Sequence, residues 1–361
     1  MEGYYNFEQI TSSVNDWLVS IAGPMWGEVL GWVIIAVIFL ALFAVLGLVL
    51  VYVERKVAAF FQQRLGPMRV GFWGTAQTVA DALKLLLKEP LATKSADKTL
   101  FNMAPFIIII SSLLAISVIP FANGLQAFDI NIGLLFITAV SSIGVVGILL
   151  AGWSSNNKYS LIGAMRSGAQ IVSYELSVGL SLLTMVLLAE TMQLSAIVAA
   201  QENGWFIFKG HIPAIIAFFL FVISATAETN RGPFDLAEAE SELTAGFHTE
   251  YSGLKFAFFF LGEFVNMFIA AGIATVVFLG GWMPFHIAGF EQFNAIMDYI
   301  PQLVWFFGKA SLIVFLMMWF KWTFPRLRID QLLTLEWKYL MPLNLINLMI
   351  MALMVYFGLH W

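Results

Sequence analysis

Long unbroken apolar runs recur along this chain, and they constrain its fold more than any other feature. An apolar helix of about 20 residues crosses a hydrocarbon core roughly 30 Å thick. Eight such spans are predicted, over about residues 28–53, 101–121, 132–153, 160–189, 212–227, 254–282, 303–323 and 340–359. The runs are solidly apolar where barrel strands would alternate. The fold class is therefore all-α and polytopic in the membrane. Composition agrees: 60% of the 361 residues are hydrophobic and 11% charged, against about 25% charged in soluble domains. Residues 1–27 read as an extracytoplasmic N-terminal segment, and 28–359 as a single eight-helix membrane domain. The first 26 residues contain Glu2, Glu8 and Asp16 but no Lys or Arg. A cleaved secretory signal needs a basic n-region, so the first span is expected to stay in place.

Charge sets the expected orientation. Sixteen of the eighteen Lys and Arg residues fall in or beside the loops after spans 1, 3, 5 and 7, leaving Lys209 and Lys309. The positive-inside rule then puts those loops in the cytoplasm and both termini outside. The first of these loops holds a helical pattern over 71–89. Phe72, Ala76, Val79, Leu83 and Leu86 form one stripe, and Gln77, Asp81, Lys84 and Lys88 the opposite one. That is an amphipathic helix at the membrane surface, read equally well as a plain interfacial anchor.

Several chemistries are excluded. The chain has no cysteine, so thiolate-held clusters, Cys zinc sites and disulfides are ruled out. His211, His248, His286 and His360 are scattered, without helical pairing. No metal site is expected, and no phosphate-binding glycine loop, nucleotide fingerprint or hydrolytic triad occurs. The segments 190–210 and 278–301 read as outer connections with little chemistry.

The polar residues at membrane depth carry the functional signal. Glu175 falls near the middle of span 4 and Glu263 about ten residues into span 6. A charge there costs about 3 kcal/mol on insertion scales, and intramembrane acids mark ion or proton paths. The plainer alternative is a neutral acid bonding between helices. Arg166, Gln170 and Ser173 accompany Glu175 as a polar seam on span 4. Glu54, Arg55 and Lys56 end span 1, where snorkelling explains them equally well.

The most acid-dense stretch is 228–251, ETNRGPFDLAEAESELTAGFHTEY, with Glu228, Asp235, Glu238, Glu240, Glu242 and Glu250 beside a single Arg231. Asp235 with Glu238 reads as a helix capping box. Asp235, Glu238 and Glu242 would then share a face, and like charges that close keep protons exchangeable near neutrality. Arg326, Arg328 and Asp330 form a basic turn before the last span. A wet loop and a proton reservoir both remain open on these residues alone.

ERKVAAFFQQRLGPMRVG, ADALKLLLKE, YSLIGAMRSGAQIVSYELSVGL, AETNRGPFDLAEAESELTAGFHTEYSG, FLGEFVNM, FLGGW and RLRIDQLLTLEWKYLMPL occur in this order. Together, over roughly 28–359, they resemble the H-subunit family of NADH-quinone oxidoreductase, the respiratory complex I. The chain has Gly66-Pro67-Met68 where the family commonly has GPN, and Lys321 where an arginine is often found. The resemblance implies a membrane-arm component in a bacterial inner membrane, without a redox centre or cofactor of its own. Quinone is then the substrate, and flavin and iron–sulfur clusters belong to partner subunits of the membrane and peripheral arms. Lipid is the surrounding partner, and no nucleic acid is involved. By resemblance, Glu54, Arg55, Arg231, Asp235, Glu238, Glu240, Glu242 and Glu250 are quinone-chamber or coupling residues. Glu175 and Glu263 belong to a proton path, and Arg326 and Arg328 face the peripheral arm. The alternatives are the equivalent subunit of a membrane-bound hydrogenase and a proton-coupled secondary transporter. No internal repeat supports the transporter.

Overall fold

The computed structural model describes residues 7–202, 204–236, 244–286 and 290–359. Eight helices are long and apolar enough to cross a membrane. They are span 1 (Pro24–Phe61), span 2 (Lys98–Ser117), span 3 (Gly133–Ser154), span 4 (Lys158–Ala189), span 5 (His211–Glu228), span 6 (Gly253–Phe278), span 7 (Gln302–Thr323) and span 8 (Ile329–Tyr356). The chain is thus an all-α, multi-pass membrane protein.

Span 1 runs eight residues past its expected end, because Glu54, Arg55 and Lys56 continue the helix instead of closing it. Ahead of it, a further helix (Phe7–Ala22) folds back against the span. Gly23 turns the chain at φ 82, and Pro24 opens span 1 at a position whose N–H needs no partner. Gly27 then meets Val19 so closely that a Cβ would lie 2.6 Å from its Cα.

Span 8 begins at Ile329, not near 340. The charged stretch before 340 is already helical and opens into a π-turn over Glu336–Leu340. Pro342 follows directly, and a proline ring clashes with the carbonyl four residues back. The wide turn accommodates it.

Spans 4, 5 and 6 are the most enclosed, and span 6 is buried almost continuously from Phe264 to Phe278. Small residues set the spacing elsewhere, as is usual between helices in lipid. A Cβ on Gly152 of span 3 would collide with that of Ala164 on span 4. The surface helix is shorter than expected, Gln77–Leu87, preceded by a 3-10 turn at Phe72–Gly74. Its Val79, Leu83 and Leu86 remain uncovered by the chain, as an interfacial helix requires.

The two segments read as having little chemistry are structurally active. Leu194, Ile197, Val198 and Phe206 are buried in the main core. Lys309 donates to the carbonyls of Leu279 (2.6 Å), Gly281 (3.0 Å) and Met283 (2.6 Å), and its ammonium lies 4.3 Å from the Trp205 ring centroid. It clamps the turn after span 6.

Candidate functional site

The loops that carry most of the basic residues converge at one end of the bundle. There Glu54, on the inner face of span 1, receives two cations. Its Oε2 accepts from Arg231 Nη1 at 2.9 Å, and its Oε1 from Lys321 Nζ at 2.5 Å. Glu54 is 8% exposed and Arg231 6%, so this is not snorkelling. The Arg231 guanidinium also lies 4.0 Å from the Phe264 ring centroid on span 6, a cation–π contact. The single arginine of the acidic stretch therefore reaches span 1. Asp235 instead accepts from Arg326 Nη2 at 3.2 Å.

One helical step away, Arg55 points outward. It pairs with Asp81 on the surface helix, whose other oxygen accepts from Gln77 Nε2 at 3.2 Å. Tyr52 Oη donates to the Trp73 carbonyl at 2.9 Å, and Lys56 Nζ to that of Pro67 at 2.7 Å. These contacts hold the first loop against span 1. Between them opens a cleft of about 600 Å³, with Arg55, Arg64, Arg231 and Lys321 set against Glu54 and Glu263. Phe260, Phe264 and Trp322 form its apolar wall.

A second, smaller cavity of about 90 Å³ lies among spans 2 to 6 and contains three carboxyl groups, Glu175, Glu228 and Glu263. Ser142 Oγ donates to Glu175, and Ser141 bonds to Glu228. The remaining walls are mostly Ile, Val and Phe. A space of that size admits a few waters where polar partners exist. Glu263 lines both the cleft and this cavity. It is the side chain at which the two meet.

The expected seam on span 4 is divided. Gln170 Nε2 donates to the carbonyls of Ala227 and Phe234, each at 2.7 Å, and Ser173 Oγ returns to its own Ala169 carbonyl. These residues anchor the chain after span 5, while Glu175 turns toward span 3. Glu250 accepts from Asn157 Nδ2 at 2.5 Å beside the start of span 4. Arg328 is exposed at the start of span 8 and is not brought to the cleft. Glu238, Glu240 and Glu242 lie outside the described residues, and with them the proposed capping box and acidic face.

Sequence reasoning passed over four of the groups that matter here. Lys321 read only as a positive-inside residue at a span end, and Glu228 only as the first acid of a loop. His248 read as an isolated histidine. It is buried beside Phe247 and Phe256, shares a small void with Glu263, and its imidazole is pushed down to about 4 by burial. Glu336 read as part of a connection. Their common signal is an ionisable residue within two turns of an apolar run. Among the described residues no group of three His, Cys, Asp or Glu side chains could hold a metal ion.

Comparison with known proteins is consistent along the whole chain. A family model described as NADH dehydrogenase matches residues 33–352. The chain is 61% identical to the H subunit of the NADH-quinone oxidoreductase of Bacteroides fragilis over 357 residues, 99% of this chain and 100% of the relative. It is 58% identical to the H subunit from Bacteroides thetaiotaomicron over 357 residues, with the same coverage. The H subunit from Brevibacillus brevis is 47% identical over 334 residues, 92% of this chain and 95% of the relative. The chain belongs to the NADH dehydrogenase family, among the H subunits of NADH-quinone oxidoreductases.

Proposed function

We propose that this membrane component of the NADH-quinone oxidoreductase forms the mouth of the quinone chamber and passes the consequence of quinone reduction to buried carboxyl groups. The observation that carries the reading is Glu263, shared between the basic, aromatic-walled cleft at Glu54 and the cavity holding Glu175 and Glu228. An isoprenoid quinone presents an apolar tail and a head group that gains negative charge on reduction. Aromatic walls suit the tail, and the Arg231 and Lys321 cations suit the developing charge. Both cations reach the cleft from Glu54, where two positive groups face one carboxylate.

Electrons enter elsewhere in this reading, because flavin and iron–sulfur centres belong to partner subunits of the peripheral arm. What this chain supplies is position and protons. A change in charge in the cleft alters the potential at Glu263, which lines it, in low-dielectric surroundings where Coulomb energies are large. Glu263 then exchanges a proton with Glu228 and Glu175 through hydroxyls and water. The acids of 235–250 and the arginines at 326 and 328 line the cytoplasmic approach, with both termini on the opposite side of the inner membrane, as the positive-inside rule requires. The segment ahead of span 1 lies on the outer side of a single membrane domain in this reading.

The test is Glu263→Gln in the assembled complex. NADH oxidation by a hydrophilic artificial acceptor, which reports the peripheral arm alone, should stay within twofold of the parent. Quinone-linked turnover and proton translocation should fall at least tenfold. Full quinone turnover with normal pumping would remove Glu263 from the path.

A further inference from the structure

Span 8 carries a buried acid that lies outside both the cleft and the cavity. Glu336 is 1% exposed, Ser177 Oγ of span 4 donates to its Oε1, and its Oε2 has no partner among the described residues. No described cation forms a salt bridge with it. Arg328 and Lys338, on the same helix, are exposed. Tyr174 is the titratable group facing it from span 4, and its hydroxyl donates to the Leu332 carbonyl at 3.0 Å. A buried, unpaired carboxylate is costly, and holding a proton removes that cost.

The helices run side by side. Tyr174 meets Leu332, Ser177 meets Glu336, and Leu188 and Met351 both reach Gly210 near the far end. Along this contact span 4 presents Ser177, Ser181 and Thr184, all buried. Span 8 presents Glu336, then Asn344 and Asn347. Among the described residues, fully buried Asn344 has neither amide atom bonded, and Asn347 donates to the Pro213 carbonyl of span 5 at 2.9 Å while its oxygen has no partner. Leu340 interrupts the row for one turn. The hydroxyls are bonded, but four buried atoms of Glu336, Asn344 and Asn347 have no partner among the described residues, and buried polar atoms left so are normally met by internal water. The π-turn that begins at Glu336 is the local distortion that accompanies such sites.

We propose that Glu336 is a proton-exchanging carboxyl group at the head of a hydrated polar seam between spans 4 and 8, separate from the cavity of Glu175, Glu228 and Glu263. In each exchange the carboxyl O–H breaks, its proton passes to seam water, and the carboxylate takes a proton back from that water. Ser177 holds the other oxygen in place. Glu175, two residues earlier on span 4, faces span 3 instead.

Infrared spectroscopy of the purified complex tests this directly. On transfer to deuterated buffer, a protonated-carboxyl band lost in Glu336→Gln should shift within minutes in the parent. Ser177→Ala should keep the band but move it to higher frequency, which provides a reading even if Glu336→Gln assembles poorly. Asn344→Leu should slow deuteration at least tenfold, and Glu175→Gln should leave it unchanged. The proposal is overturned if no band depends on residues 336 and 177, or if the band stays unshifted for hours. It is equally overturned if Glu175→Gln abolishes the exchange, since the carboxyl would then belong to the larger cavity.

Discussion

The Glu54 cluster makes a quantitative prediction because its partners differ in burial. Glu54 and Arg231 expose 10% and 7% of their side chains, and Lys321 exposes 26%. Glu54→Gln keeps the shape but removes the carboxylate that two cations share, one of them locked over Phe264. Removing one member of a buried pair costs about 3–5 kcal/mol. Lys321→Met leaves Glu54 with Arg231 and removes a partner that water already reaches, for roughly 1–2 kcal/mol. A large membrane assembly unfolds irreversibly, so the readable quantity is its half-life at elevated temperature. A loss of about 4 kcal/mol felt before the unfolding barrier shortens that half-life up to about a thousandfold, whereas Lys321→Met shortens it about tenfold. The double variant Glu54→Gln/Arg231→Met removes that guanidinium as well. It should recover about 1–3 kcal/mol relative to the sum of the single changes. Thermal inactivation of the four variants, followed by loss of quinone-linked activity, measures all of this. Additivity within about 0.5 kcal/mol, or a Lys321→Met variant as fragile as Glu54→Gln, would refute the cluster as the anchor of the cleft.

Further outcomes concern the acidic loop and two buried cationic or titratable side chains. Asp235→Asn and Glu242→Gln should each abolish quinone-linked activity while the complex still assembles; near-normal turnover and pumping in both would remove the acidic loop from the coupling role. Lys309→Met orphans three carbonyls in the turn after span 6 and should cost about 3 kcal/mol or more, read as earlier thermal inactivation with initial turnover kept. His248 is pushed from 6.5 down to about 4 by burial, so the unfolded chain binds its proton first. Its contribution to stability is fully present above pH 6.5 and lost as pH falls toward 4, by about 3 kcal/mol in all. His248→Asn should flatten that part of the stability profile, and an unchanged acid slope would contradict a buried neutral imidazole.

Much of the architecture was legible because lipid leaves a chain few options. Eight apolar runs gave eight spans, and hydropathy locates them within a few residues except where a helix outlasts its apolar run. Span 1 continues through Glu54, Arg55 and Lys56 because its end is clothed by protein and by the surface helix. Span 8 starts eleven residues early because charged residues are admitted wherever a helix emerges into an interface. Glu175 and Glu263 were legible for the complementary reason: an acid inside an apolar run stands out. What linear reading could not supply is rotation about the helix axis. Glu54 and Arg55 are neighbours in sequence, yet one enters the bundle and the other grips Asp81. Gln170 and Glu175 share a span, yet they serve opposite sides of it.

That rotational rule explains how one helix can serve two polar systems without joining them. On span 4, successive residues diverge by about 100°. Glu175 therefore opens onto the cavity toward span 3, while Tyr174 and Ser177 flank it in sequence and face span 8. Val178 and Leu182, buried and apolar, line the cavity beside Glu175. The helix body keeps charges on its two faces from sharing solvent, yet across roughly one helix diameter it screens them poorly. A proton gained at Glu336 would therefore be felt at Glu175 as potential without a connecting chain of hydrogen bonds. Polar contacts confined to separate faces of one rigid helix allow electrostatic coupling while blocking a proton leak, and coupling requires both.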